Sequence, residues 1–168
     1  GEHDVRKPVI FFRRFADDRI MPHAHGWHCN DELIPIEIVE EMGALGVFGL
    51  TIPEEYGGAG ADFVSYVLAL EELSRADAGV GVTVAVHTSA ATLPILSFGS
   101  EEQRRRFVPE LAAGRVLGAF ALTESGSGSD AGALRSSATP DGDGWRIDGT
   151  KMFTSGANIS DYVLMLTR

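Results

Sequence analysis

Apolar positions along the chain keep two different rhythms. Up to about residue 114 they recur at helical spacing, and from about residue 118 they fall into short runs separated by turn residues, the texture of strands. The expected fold class is α+β. A helical amino-terminal unit over residues 1–114 is followed by a strand-built unit over residues 115–168.

Within the helical part, Asn30 reads as an N-cap with Asp31 and Glu32 in the first turn, where carboxylates favour the helix dipole. Ile36, Val39 and Met42 then recur on one face. A second helix is predicted after Asp62, with Phe63, Tyr66, Val67, Leu70 and Leu73 as its apolar stripe. Glu71, Glu72 and Arg75 lie off that stripe and are expected to face water. Residues 80–98 are the most apolar stretch; the alternation of Val80, Val82, Val84 and Val86 is also strand-like, but a buried helix ending at Gly99 is the expectation. Ser100-Glu101-Glu102-Gln103 forms a capping box, Pro109 is expected to break or restart the helix, and Gly114 to close it. Pro53 and the Gly57-Gly58-Ala59-Gly60 run predict a loop.

The strand part begins with Leu117–Thr123. Leu134–Thr139 leads into the turn Pro140-Asp141-Gly142-Asp143-Gly144, Trp145-Arg146-Ile147-Asp148 alternates, and Tyr162–Thr167 is a last apolar strand. That strand reaches Arg168 without a cap. A sheet edge left there exposes unpaired groups, so something beyond these residues, further chain or another subunit, is expected to complete it.

Charge narrows the function. The formal net charge of −10 argues against wrapping nucleic acid or resting on an anionic membrane, though it leaves room for a local pocket that takes an anionic cofactor. Cys29 is the sole cysteine, so an internal disulfide is impossible. No apolar run is expected to span a bilayer, and the polar start Gly1-Glu2-His3-Asp4 is unlike a secretory or mitochondrial address. A cytoplasmic setting is the expectation.

Two segments carry chemistry. In Phe120-Ala121-Leu122-Thr123-Glu124-Ser125-Gly126-Ser127-Gly128-Ser129-Asp130 a strand delivers Thr123 into a loop of small residues, whose amides and hydroxyls a ligand can approach closely. The loop lacks the Gly-Lys-Ser/Thr ending of a P-loop, the spacing of a nucleophile elbow, and the third glycine of a dinucleotide fingerprint, where Ala131 stands. In Gly149-Thr150-Lys151-Met152-Phe153-Thr154-Ser155-Gly156-Ala157 an aromatic stands between hydroxyls, suited to covering a planar ring and donating to its edge. Each segment alone reads more readily as a plain turn.

Together they resemble a family. ALTESGSGSDAGALRSSA followed by DGDGWRIDGTKMFTSGANISDYVLMLTR is similar to the β-domain signature of acyl-CoA dehydrogenases. LGVFGLTIPEEYGGAGAD, EELSRADAGVGVTVAVHTS and FGSEEQRRRFVPELAAG resemble that family's helical domain in the same order, and AHGWHCNDELIPIEIVEEMGALGVFGLTIPEEYGG resembles methylsuccinyl-CoA dehydrogenase-type members. The resemblance implies that the strand part is the first half of a small β-barrel-like domain, and it implies a flavin adenine dinucleotide (FAD) site, α,β-dehydrogenation of an acyl-CoA thioester in fatty acid and lipid metabolism, electron-transfer flavoprotein or another acceptor, and a homo- or hetero-oligomer. It implies that Phe120, Leu122 and Thr123 line the flavin ring, Thr123 hydrogen-bonding its polar edge. Gly128 is implied to approach the flavin phosphate, Ser129 the acyl-CoA substrate as well, and Phe153 and Ser155 the ring's other side. Ser125 replaces the family's usual proline, implying a looser loop, and Phe153 replaces a frequent tryptophan. The catalytic base is expected beyond Arg168, Glu124 being assigned to loop structure, so the 168 residues alone are expected to bind flavin poorly and turn over no acyl-CoA. A flavin-dependent monooxygenase of the same fold, or a non-catalytic binding subunit, are the alternatives.

Other features read as structural. His23, His25, His28 and Cys29 lack a zinc spacing and suggest surface or packing roles, with no metal expected. His87 reads as a satisfied core histidine, and Arg104-Arg105-Arg106 as a solvated helix face.

Overall fold

Short polar side chains open three of the described helices by satisfying amides the helix leaves free. The computed structural model describes residues 6–168; the segment Gly1–Asp4 discussed above lies outside them. Helix α1 (Arg6–Phe15) runs through a π-wound turn (Ala16–Ile20) into α2 (Met21–Cys29), and α3 (Ile36–Ala44) follows. Asn30 is not an N-cap. It ends α2, its amide donating to the Gly26 carbonyl at 3.0 Å, and Asp31 turns the chain with φ 54°. Asn and Asp tolerate such geometry at helix C-termini as well as capping N-termini, and the chain restarts at Pro35.

Asp62 does cap α4 (Phe63–Ala76), accepting the Ser65 amide at 2.9 Å. The buried face is rotated from the predicted stripe: Tyr66, Ala69, Glu72 and Leu73 point inward, while Phe63 and Val67 are exposed. Glu72 therefore does not face water. Arg13 grips its carboxylate through Nε at 2.9 Å and Nη2 at 2.6 Å, Arg75 adds a bond at 3.2 Å, and the Arg13 contact holds the carboxyl below its ordinary range. A periodicity rule cannot anticipate this, because Arg13 lies 59 residues upstream.

Asp77, capping through the Val80 amide at 2.8 Å, opens a continuous helical run of α5 (Ala78–Ala85), a π-wound segment (Val86–Thr92) and α6 (Leu93–Phe98), which stops at Gly99. Val80, Val84, His87, Thr88, Ala91 and Thr92 are buried, but Val82 and Phe98 face outward, so the run is buried on one side only. Its 21 residues and mean hydropathy of 1.4 make it long and apolar enough to cross a membrane by length and composition, contrary to the expectation from sequence. Its buried face packs instead against the helical core around Phe48 and Leu73.

Helix α7 (Glu101–Ala112) has the predicted capping box, yet Pro109 neither breaks nor restarts it. Proline forfeits only the bond to the carbonyl four residues earlier, and Arg105 lies on an exposed face where water can serve that carbonyl. Arg105 and Arg106 are solvated as predicted, but Arg104 is half-buried beside the small cluster of Ile52, Tyr56, Val108 and Ala112.

The described strands are β1 (Gly118–Ala121), β2 (Ser137–Asp141), β3 (Gly144–Asp148) and β4 (Tyr162–Met165). β1 and β4 pair in parallel, Gly118 opposite Tyr162; β2 and β3 form an antiparallel hairpin turning at Gly142, with φ 59°. Arg168 links the two ladders, donating to the Ser136 carbonyl and accepting the Ala138 amide, both at 3.0 Å. β1 lies so close to the helices that a Cβ on Gly118 would sit 2.6 Å from Ala91 Cβ.

Candidate functional site

The two motif segments meet where β1 ends. Ala119 and Ala121 are buried, and beyond them the chain leaves the sheet through Leu122 and Thr123. The segment after Gly149 returns against it: the Met152 amide donates to the Thr123 carbonyl at 2.8 Å, and Lys151 Nζ donates to the Leu122 carbonyl at 3.0 Å. Lys151 also pairs with Glu124 Oε1 at 2.8 Å, both side chains less than a tenth exposed. Glu124 accepts the Arg135 amide at 2.6 Å and the Ser136 amide at 2.9 Å as well. Lys151 first, and these amides after it, hold the Glu124 carboxyl far below the usual carboxylate range. A carboxylate so stabilised is a poor base, in keeping with a loop-fixing role.

The small-residue loop is closed, not loose. Glu124 and Ser127 exchange backbone bonds at 2.8 and 3.2 Å, and buried Ser127 donates its hydroxyl to the Asp130 carbonyl at 2.8 Å. These bonds tighten the turn at Ser125 without the proline that the resemblance led one to expect. Cβ atoms added to Gly126 or Gly128 would meet nothing within 4 Å, so a ligand can approach both backbones. Phe153 holds a left-handed φ of 55° and is 84% exposed. For an aromatic residue that backbone costs on the order of 1–3 kcal/mol, and it is typical of functional sites.

Leu122, Thr123 and Phe153 thus belong to one edge, with Gly128 and exposed Ser129 on the loop beside it. Phe120 and Ser155 are not brought together. Phe120 lines a cavity of about 600 Å³ with Pro94, Phe98, Phe107 and Leu164, whereas Ser155 lines a separate cleft with Thr83, Val86 and His87. Sequence reasoning missed Lys151. Its signal was its rarity, since Lys7 is the chain's other lysine.

His87 ties this edge to the helices. It is 1% exposed, its Nδ1 accepts the Gly118 amide at 3.1 Å, and Nε2–H donates to the Leu111 carbonyl at 2.9 Å. Burial pushes its pKa below the ordinary value, the Leu111 contact opposing this in part. Because the folded value lies below the unfolded one, the stabilisation is complete above about pH 6.5 and is lost as pH falls through the folded value. Wild-type protein is expected to lose more thermal stability than His87→Gln on acidification below that point; parallel melting curves for the two would contradict this. His23, His25 and His28 make local contacts: His28 Nε2 lies 2.7 Å from Asp77, His23 stacks on Trp27, and Cys29 lies 3.4 Å from His25.

A helical unit backing a strand-borne, small-residue loop with an exposed aromatic beside it defines an α+β architecture with an open loop at its strand edge. Residues 9–115 match the family model for the acyl-CoA dehydrogenase N-terminal domain, and residues 119–168 that for its middle domain. The chain belongs to the acyl-CoA dehydrogenase family. Over 94% of its length it is 47% identical to (2S)-methylsuccinyl-CoA dehydrogenase of Cereibacter sphaeroides and 48% identical to an acyl-CoA dehydrogenase of Bacillus subtilis (strain 168), covering 28% and 40% of those proteins. All of it superposes on glutaryl-CoA dehydrogenase from Mycobacterium smegmatis in complex with FADH2, with TM-score 0.92, 38% identity and 43% of that chain covered. The chain therefore spans well under half the length of each of these relatives.

Proposed function

We propose that this chain forms the flavin-facing wall of an FAD-dependent acyl-CoA dehydrogenase that desaturates the α,β bond of an acyl-CoA thioester. The observation carrying this reading is the bond from the Met152 amide to the Thr123 carbonyl, which fastens the two motif segments into one edge. The residues present fit a flavin. Open space at Gly126 and Gly128 admits a phosphate to backbone amides, and exposed Phe153 has an apolar face to lend to a ring.

Leu122 would give the ring apolar contact, Thr123 a hydroxyl donor, Gly128 access to the phosphate, and Ser129 a contact shared with the substrate, while Phe120 and Ser155 line separate hollows. When bound, FAD supplies the acceptor for the β-hydrogen leaving as hydride. Donors at the ring's polar edge would favour charge developing there, and Phe153 would shield one side of a bound ring from water. Glu124, neutralised by Lys151, leaves α-proton removal to a base outside these residues. An electron-transfer flavoprotein or similar acceptor, a homo-oligomeric assembly, a place in fatty acid metabolism and a cytoplasmic setting complete the proposal.

The natural full-length protein is expected to purify yellow and to bleach anaerobically on addition of acyl-CoA. A flavin-free protein, or a yellow one that no acyl-CoA bleaches, would refute the reading.

A further inference from the structure

Glu124 is the meeting point of three stretches of chain. Its own loop carries it, the Arg135 and Ser136 amides at the start of β2 donate to it, and Lys151 reaches it from the turn after Gly149. Lys151 in turn holds the Leu122 carbonyl, one residue before the Thr123 carbonyl that accepts the Met152 amide. The pair is almost wholly buried, with side chains 5% and 9% exposed, so solvent and salt screen it little. Two residues beyond Lys151 stands Phe153, in a left-handed backbone that persists only where its surroundings impose it. The bonds just before it in the chain are those of Lys151 and Met152.

We propose that Lys151 and Glu124 are positioning residues, a buried ion-pair clip that fixes the Thr123–Ser129 loop and the Phe153 backbone relative to each other and so preforms the cofactor edge. Neither residue need touch the flavin. The clip acts by holding, in the apoprotein, donors and ring in the arrangement that binding requires, which spares binding the cost of ordering two loops. This rests on the function proposed above for what the edge binds. The mechanical claim concerns the chain alone.

The pair makes a specific prediction because it works as a unit. Lys151→Met leaves a buried carboxylate without its counter-charge, and Glu124→Gln leaves a buried ammonium in the same position. Each single change removes the whole clip, so the double variant is expected to be no worse than the worse single one, a coupling that two independent residues would not display. Hydrogen exchange measured on the full-length apoprotein reads the clip directly. In Lys151→Met and in Glu124→Gln, exchange is expected to accelerate at least about tenfold in both 120–130 and 149–155, while the helical run 78–98 keeps its wild-type protection. FAD binding, followed by flavin fluorescence, is expected to weaken about tenfold in parallel.

Wild-type exchange in the two segments of both variants overturns the proposal, as does acceleration spread equally through 78–98, which marks general destabilisation. Additive effects in the double variant also overturn it. If the wild-type protein itself takes up no FAD, the proposed function fails, yet the exchange pattern still decides whether the clip exists.

Discussion

Replacing Phe48 by alanine is expected to lower the unfolding free energy by about 3–5 kcal/mol, the usual cost of emptying a large aromatic site in a packed core. Phe48 is completely buried and its ring lies 4.4 Å from that of His87. The site has little room to collapse. Even a Cβ added to Gly114 would come within 2.7 Å of the Phe48 ring, so backbone already presses on it. Against a total stability of about 5–15 kcal/mol, such a loss leaves the protein marginal. Urea denaturation followed by circular dichroism measures it. Phe48→Leu keeps most of the volume and should lose clearly less. An unchanged urea midpoint for Phe48→Ala would show that this core is wrongly drawn.

The second large effect joins fold to function. Gly118→Val is expected to weaken FAD binding by the full-length protein at least about tenfold, although an overpacking cost of about 1–3 kcal/mol against a stability of about 5–15 kcal/mol leaves most of the protein folded. The first carbon of the new side chain would sit 2.6 Å from Ala91 Cβ and 3.2 Å from Leu111 Cδ2. β1 must then lift from the helices, breaking the Gly118 amide bond to His87. Thr123, only a few residues along the same strand direction, moves with it and leaves Met152. Fluorescence titration with FAD provides the measurement. Wild-type affinity in Gly118→Val would mean that strand placement does not govern the site.

Features determined by near neighbours were legible. Asp62 with the Ser65 amide, the Ser100–Gln103 box, the stop at Gly99 and the hairpin at Gly142 all involve residues a few positions apart, and each appears as expected. The misread features depended on distant partners or on exposure. Glu72 is inside because Arg13 meets it there; Pro109 is tolerated because Arg105 faces water; Asn30 closes a helix because Pro35 opens the next one. The two motif segments were visible as motifs, but Lys151 was not, since its meaning lies in Glu124 and Leu122, more than twenty residues away.

By itself, the order of residues determined where most helices begin and stop, that strands follow them, and which small-residue loop and aromatic turn resemble the family's motifs. Those are local matters, governed by caps, turn residues and side-chain period. The fold alone decided that β1 pairs in parallel with β4, that Thr123 and Met152 share a hydrogen bond, and that Phe120 and Ser155 look into different cavities. Contacts of that kind arise only when buried groups from remote parts of the chain must satisfy one another in the same small space.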